Sequence, residues 1–193
     1  MRNLVLASTS PYRRELLKQL DLPFEAATPL FTESVDQRVA PELLVKHLSY
    51  GKAESLRRNY PDALIIGSDQ VFVDLRGRIL GKPGSRSAAI KQLQAMSGLS
   101  HTFYTGVTVY DAKTRESISD FSTYTVTLRS LSDEQIISYL DRDRPFRCAG
   151  SFKIEGLGIA LMEKMSGEDY TSLIGLPLIK LTTILSHFGV KVL

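Results

Sequence analysis

Read as a pattern of apolar and polar positions, the chain alternates short apolar runs with longer stretches that place an apolar residue at every third or fourth position. Residues 3–7 are a short apolar run followed at once by Ser10 and Pro11, residue types that suit the N-cap and first position of a helix. This opening reads as a strand, a tight loop and a helix running through Leu16, Leu17 and Leu20. A second helix is predicted from Pro41, with Leu44, Leu48, Lys52 and Leu56 on one stripe, and it ends near Tyr60-Pro61-Asp62. Residues 63–67 are apolar enough for a strand buried on both faces. Residues 71–73 and 78–80 read as a hairpin about Arg76-Gly77, and residues 85–96 as a helix.

Residues 101–111 and 116–128 are rich in Thr, Val, Tyr and Phe and are separated by Ala-Lys-Thr-Arg, which predicts an antiparallel pair. Ser132-Asp-Glu-Gln135 is a capping box that opens a helix through Ile136, Ile137 and Leu140. Residues 159–162 are expected to form a strand, 177–187 a closing helix and 190–193 a final strand. Crossover units mixed with hairpins imply an α/β fold with a mixed sheet. No repeat, low-complexity tract or linker interrupts the pattern, so a single domain spanning 1–193 is expected.

Composition narrows the functional classes. A chain of 193 residues that is 43% hydrophobic can bury a sizeable core. Its 24 basic and 21 acidic residues give a formal charge of +3, too balanced and dispersed to coat a nucleic-acid backbone. A small anionic ligand stays open. Cys148 is the single cysteine and has no partner for an internal disulfide; there is no basic, then apolar, signal segment and no apolar run long enough to cross a bilayer. The expectation is a cytoplasmic protein with neither nucleic-acid nor membrane partner.

Five places carry candidate chemistry. Leu6-Ala-Ser-Thr-Ser-Pro-Tyr-Arg-Arg14 puts Arg13 and Arg14 in the first turn of a helix, where cations oppose the macrodipole. A bound phosphate would reverse that penalty, with backbone N–H groups, the Ser8 and Ser10 hydroxyls and an Arg converging on it. A solvated surface turn is the other reading. Ala63-Leu-Ile-Ile-Gly-Ser-Asp-Gln70 runs a buried strand straight into a carboxylate, and ligand sites of open α/β sheets gather beyond such strand ends. Asp69 could hold a divalent cation, take a proton from water, or cap a turn. Lys52 shares its stripe with leucines, so its ammonium either meets a partner or snorkels to water. Lys82 sits in the turn Leu80-Gly-Lys-Pro83, where Gly81 permits close backbone approach. Glu33, in the aperiodic stretch 31–38, is either a surface charge or, with Asp69, a second carboxylate for a hard cation.

Zinc and thiol chemistry lack support, because His47, His101 and His187 have no metal-ligand spacing and Cys148 has no neighbouring His. Complete P-loop and dinucleotide-binding glycine patterns are also missing; Gly156-Leu-Gly158 begins the second, but Leu161 fills the last glycine position.

In order along the chain, Leu6-Ala-Ser-Thr-Ser-Pro with Arg13, Glu33, Lys52-Ala53, Gly67-Ser-Asp69, Gly81-Lys-Pro83, Tyr104-Thr-Gly106, Ala149-Gly150 with Gly156, and Gly175-Leu-Pro177 resemble the Maf family of nucleotide pyrophosphatases. The resemblance covers nearly the whole chain. It implies a Maf/ITPase-like mixed sheet flanked by helices, with two lobes around a central cleft. It also implies hydrolysis of a nucleoside triphosphate between the α and β phosphates, giving a monophosphate and pyrophosphate. Asp69 would then be general base and metal-associated carboxylate, and Glu33 a second carboxylate on the metal side. Ser8, Ser10, Arg13, Lys52 and Lys82 would hold the triphosphate. Mg²⁺ is the expected ion, with Mn²⁺ as a substitute, and a homodimer is compatible with the family.

Tyr12, Gln70 and Glu155 depart from the dTTP/UTP-cleaving branch, which typically has Arg and Gln at the first and last of these places, and resemble the branch that acts on 7-methyl-GTP. N7 methylation gives guanine a positive charge that the Tyr12 ring can stack on, and Glu155 can accept from the N1–H and N2 edge. Two departures remain: that branch often carries Trp at position 12, and Thr32 stands where the family has an acidic residue before Glu33. Rival readings are a non-catalytic nucleotide sensor in cell-division control and a pyrophosphatase for another base, dTTP/UTP or ITP.

Overall fold

The computed structural model describes residues 2–34 and 38–193; Val35, Asp36 and Gln37, part of the aperiodic 31–38 stretch, lie outside the described residues. In chain order the elements are β1 (Leu4–Ala7), α1 (Pro11–Lys18), β2 (Phe24–Ala27), α2 (Pro41–Glu54), β3 (Leu64–Val73), β4 (Ile79–Leu80), α3 (Arg86–Met96), β5 (Ser100–Asp111), β6 (Ser117–Leu128), α4 (Asp133–Asp143), β7 (Met162–Gly167), α5 (Tyr170–Ile174) and α6 (Leu178–His187). Short 3-10 turns occupy Ala149–Ser151 and Leu157–Leu161. The strands make a seven-stranded sheet in the order β2-β1-β3-β5-β6-β7, with β4 paired to β3. The sheet is mixed, as expected: β1 runs parallel to β2 and β3, whereas β4 and β7 run antiparallel to β3 and β6.

The chain divides into two compact units, one of Met1–Gln70, Tyr104–Thr123 and Asp169–Leu193, the other of Val71–Phe103 and Tyr124–Glu168. In the first unit, strand alternation sorts the core into two layers. Leu4, Leu6, Leu64 and Ile66 pack with Leu16 and Leu17 of α1 and with Leu181, Ile184 and Leu185 of α6. Val5, Ala7 and Ile65 pack on the opposite face with Ala53 and Leu56. Gly67 belongs to this second face, where α2 comes so close that a Cβ would collide with the Ser49 carbonyl oxygen and sit 2.9 Å from the Ala53 nitrogen. In the second unit, the rings of Phe72, Phe103 and Phe152 form a cluster with centroids 4.2–5.8 Å apart, and His101 leans on Phe72.

The local signals explain most boundaries. Ser10 caps α1 by accepting from the Arg13 N–H, Pro41 opens α2, and the Ser132 hydroxyl and Gln135 side chain cap each other's backbone at α4. Three expectations are corrected. β3 does not stop at Gly67 but continues to Val73 as one strand. Residues 157–161 form a 3-10 turn rather than a strand, and β7 starts at Met162. Residues 190–193 form no strand; the Val190 N–H donates to the Leu185 carbonyl and its side chain joins the core. β2 and α5 went unforeseen because a half-exposed four-residue strand and a single helical turn carry no periodicity. Among the described residues no helix is long and apolar enough to cross a membrane.

Candidate functional site

The candidate site in the first unit begins where β1 and β3 run side by side, Ala7 in register with Gly67. Beyond Ala7 the buried Ser8 accepts from the Ser10 N–H at 3.1 Å, which closes the tight loop and starts α1. Beyond Gly67 the strand places Ser68, Asp69 and Gln70 alternately on its two faces. Asp69 shares the α2-facing side with Gly67. There it meets the ammonium of Lys52, which also lies 2.7 Å from Glu33 Oε1. Lys52 and Asp69 are only 6% and 8% exposed, so this ion pair is withdrawn from water, while Glu33 closes it from the exposed side. Lys52 therefore does not snorkel; it joins two carboxylates.

On the other face of β3, the Ser68 hydroxyl lies 2.8 Å from the Gly106 carbonyl oxygen and 2.9 Å from that of Gly175. The same Gly175 carbonyl accepts the Arg13 Nε–H at 2.7 Å. Burial pushes the half-buried Arg13 guanidinium below its ordinary value, against the opposing pull of the Asp69 and Glu33 carboxylates. Arg13 thus feels both acidic groups and turns toward the strand rather than outward. Gly175 adopts φ 129°, a left-handed conformation that favours glycine. Asp169 fixes this loop by accepting from the N–H groups of Thr171 and Ile179, 2.8 and 2.9 Å away.

The remaining predicted residues are spread more widely. Tyr12 is 39% exposed in the first turn of α1, next to Arg13. The Gln70 amide nitrogen donates toward Thr105 Oγ1 and the Ser172 and Leu173 carbonyls at 2.9–3.0 Å, so it is committed to the protein. Lys82 and Glu155 belong to the second unit and are both exposed. There both act on the Cys148 thiol, which burial pushes up; Lys153 and Lys82 pull it down, while Glu155 and Asp143 push it further. A Cβ at Gly81 would meet open space, so no close backbone approach occurs there. Sequence reading missed Ser68, Thr105, Ser172 and Asp169. The available signal was the alternation past Gly67, which sets Ser68 and Gln70 opposite Asp69.

A donor set of two carboxylates on one cationic centre suits a hard divalent ion completed by water and phosphate oxygens. Among the described residues no three His, Cys, Asp or Glu side chains gather to hold a metal.

A family model described as "Maf-like protein" matches residues 3–188. A protein of Syntrophotalea carbinolica named 7-methyl-GTP pyrophosphatase is 62% identical over 193 residues, covering 100% of this chain and 98% of its own. A protein of the same name from Pseudomonas aeruginosa is 49% identical over 192 residues and covers 100% of both chains. A solved HAM1 protein from Coxiella burnetii superposes with TM-score 0.48 at 12% identity, covering 97% of this chain and 100% of that one. With the family model matching nearly end to end and full-length relatives at such identity, the chain belongs to the Maf family.

Proposed function

We propose that this chain is a nucleoside triphosphate pyrophosphatase that hydrolyses 7-methyl-GTP to 7-methyl-GMP and pyrophosphate, removing a modified nucleotide before polymerases use it. The observation that carries this reading is the Lys52 ammonium held between Asp69 and Glu33, with Arg13 in electrostatic reach of both carboxylates. The names of full-length relatives support the substrate.

The reaction makes a bond from a water oxygen to the α phosphorus and breaks the bond from that phosphorus to the bridging oxygen of the β phosphate. Pyrophosphate leaves with the electron pair of the broken bond. Asp69 accepts the water proton, a role suited by its position within β3 just past the stretch paired in parallel with β1. Arg13, Lys52 and the N–H groups at the start of α1 bind and orient the phosphates, with Ser8 and Ser10 shaping that loop. Magnesium, or manganese in its place, would be held by Glu33 and Asp69 and would supply charge neutralisation for the departing pyrophosphate. The Tyr12 ring offers a face for the cationic methylguanine. The contributions of Lys82 to phosphate binding and of Gln70 and Glu155 to base choice rest on the family resemblance.

A substrate panel tests the reading: 7-methyl-GTP, GTP, UTP, dTTP and ITP at fixed Mg²⁺, with monophosphate, pyrophosphate and orthophosphate all quantified. Monophosphate and pyrophosphate in equal amounts, fastest from 7-methyl-GTP, are expected. Orthophosphate alone would mean that another bond is cut, and tight binding without turnover would favour a nucleotide sensor.

A further inference from the structure

We propose that Ser68 and Gln70 are positioning residues for Arg13, acting through α5 and the Gly175 carbonyl to set where its guanidinium stands relative to Asp69. The inference rests on the assignment of Arg13 to substrate phosphate made above.

The three residues lie consecutively on β3, and alternation sends them to opposite sides. Asp69 faces α2, while Ser68 and Gln70 face α5 and the loop after it. Ser68 is fully buried, and its single O–H is shared between the Gly106 and Gly175 carbonyls. Gln70 Nε2 meets three oxygens: Thr105 Oγ1, Ser172 O and Leu173 O. Thr105 spends its own hydrogen on Ser172 O at 2.8 Å, so toward Gln70 it is an acceptor. The two Gln70 hydrogens are thus shared among three oxygens, with Thr105 also donating to Ser172 O, and the loop carbonyl of Gly175 is held to β3 by Ser68. The Gly175 oxygen then receives Arg13 Nε, which leaves the amino ends of the fork as the groups to meet a phosphate. Hydrogen bonds thus run from Ser68 through the Gly175 carbonyl to the cation expected to work beside Asp69, while Gln70 anchors the α5 backbone that leads into Gly175.

The amide of Gln70 is required by this arrangement. An ionised Glu would set a carboxylate against the Ser172 and Leu173 carbonyl oxygens and could donate to neither.

The test combines Arg13→Ala, Ser68→Ala, Gln70→Glu and the Arg13/Ser68 double variant. KM for 7-methyl-GTP and the inhibition constant of inorganic pyrophosphate are measured alongside thermal unfolding. Arg13→Ala is expected to weaken both constants about 10- to 100-fold, as loss of a charge-assisted contact does. Ser68→Ala should weaken them about fivefold when Arg13 is present and about twofold or less when it is absent. Gln70→Glu should bind pyrophosphate poorly at neutral pH. Equal effects of Ser68→Ala in both backgrounds would make it merely structural and overturn the proposal, as would Gln70→Glu binding pyrophosphate normally at neutral pH. Arg13→Ala without effect on pyrophosphate would overturn the assignment of Arg13 itself. Pyrophosphate binding that follows the expected pattern while no nucleotide is cleaved would sink the proposed activity and leave this inference standing.

Discussion

Asp69 and Lys52 show how much one ion pair can decide. Both are almost completely buried, and each carries a charge that burial would otherwise penalise heavily. Asp69→Asn keeps the shape and removes the base, so turnover is expected to fall about 10²- to 10⁴-fold while nucleotide binding persists, as measured by single-turnover kinetics beside calorimetry. Lys52→Met removes the ammonium paired with Asp69 and should destabilise the fold by about 3–5 kcal/mol in urea titration. At this scale the sequence was informative about Lys52, since a cation on the leucine stripe Leu44, Leu48 and Leu56 had to be buried or bent outward. It said nothing of whether Glu33 or Asp69 would meet it, because that contact joins residues far apart in the chain. Gly175 was legible only as part of a motif; its use as a shared acceptor depends on three elements meeting.

Among elements, β3 carries the largest share of the architecture. Its approach to α2 depends on Gly67, where a methyl group has nowhere to go between Ser49 and Ala53. Gly67→Ala is expected to cost about 3 kcal/mol by forcing strand and helix apart, and to lower activity by displacing Lys52 from Asp69; a thermal melt and a KM measurement check both. The elements that sequence reading located correctly are those with a cap or a sustained period, such as α1 behind Ser10, α2 behind Pro41 and α4 behind its capping box. Those it missed lack a sustained period, and α5 has a cap in Asp169 but only a single turn behind it. The continuation of β3 was obscured for a different reason: Ser68, Asp69 and Gln70 look like a turn until each is seen to have its own partner across the sheet faces.

At the scale of the whole molecule, the two units should respond to acid at different points. In the second unit, burial pushes the His101 imidazole below its ordinary value, against the Met96 carbonyl and Asp74, and its Nδ1 has no hydrogen-bond partner. The unfolded chain therefore binds this proton more readily, and stability present at neutral pH is lost as the pH falls below about 6.5. In the first unit, the Arg2 guanidinium, aided by the Thr114 and Lys113 N–H groups, holds the Asp111 carboxyl far below the usual range against its burial. That contribution is present above about pH 4 and is lost as the pH drops toward the folded value. Amide exchange, corrected for intrinsic rates, should rise between pH 7 and 5 in residues 71–103 and 124–168, and only at lower pH elsewhere. A single transition common to both units would contradict this.

The alternation of Ser68, Asp69 and Gln70 within β3 has a consequence for assembly. If that strand slid by one residue, the Asp69 carboxylate would turn toward the oxygens of Ser172, Leu173 and Gly175, and Lys52 would lose its buried partner and keep only the exposed Glu33. Such an arrangement repels on one side and is left half paired on the other. The groups proposed to handle phosphate therefore also proofread the sheet, and a chain that misfolds here loses its stability together with its chemistry.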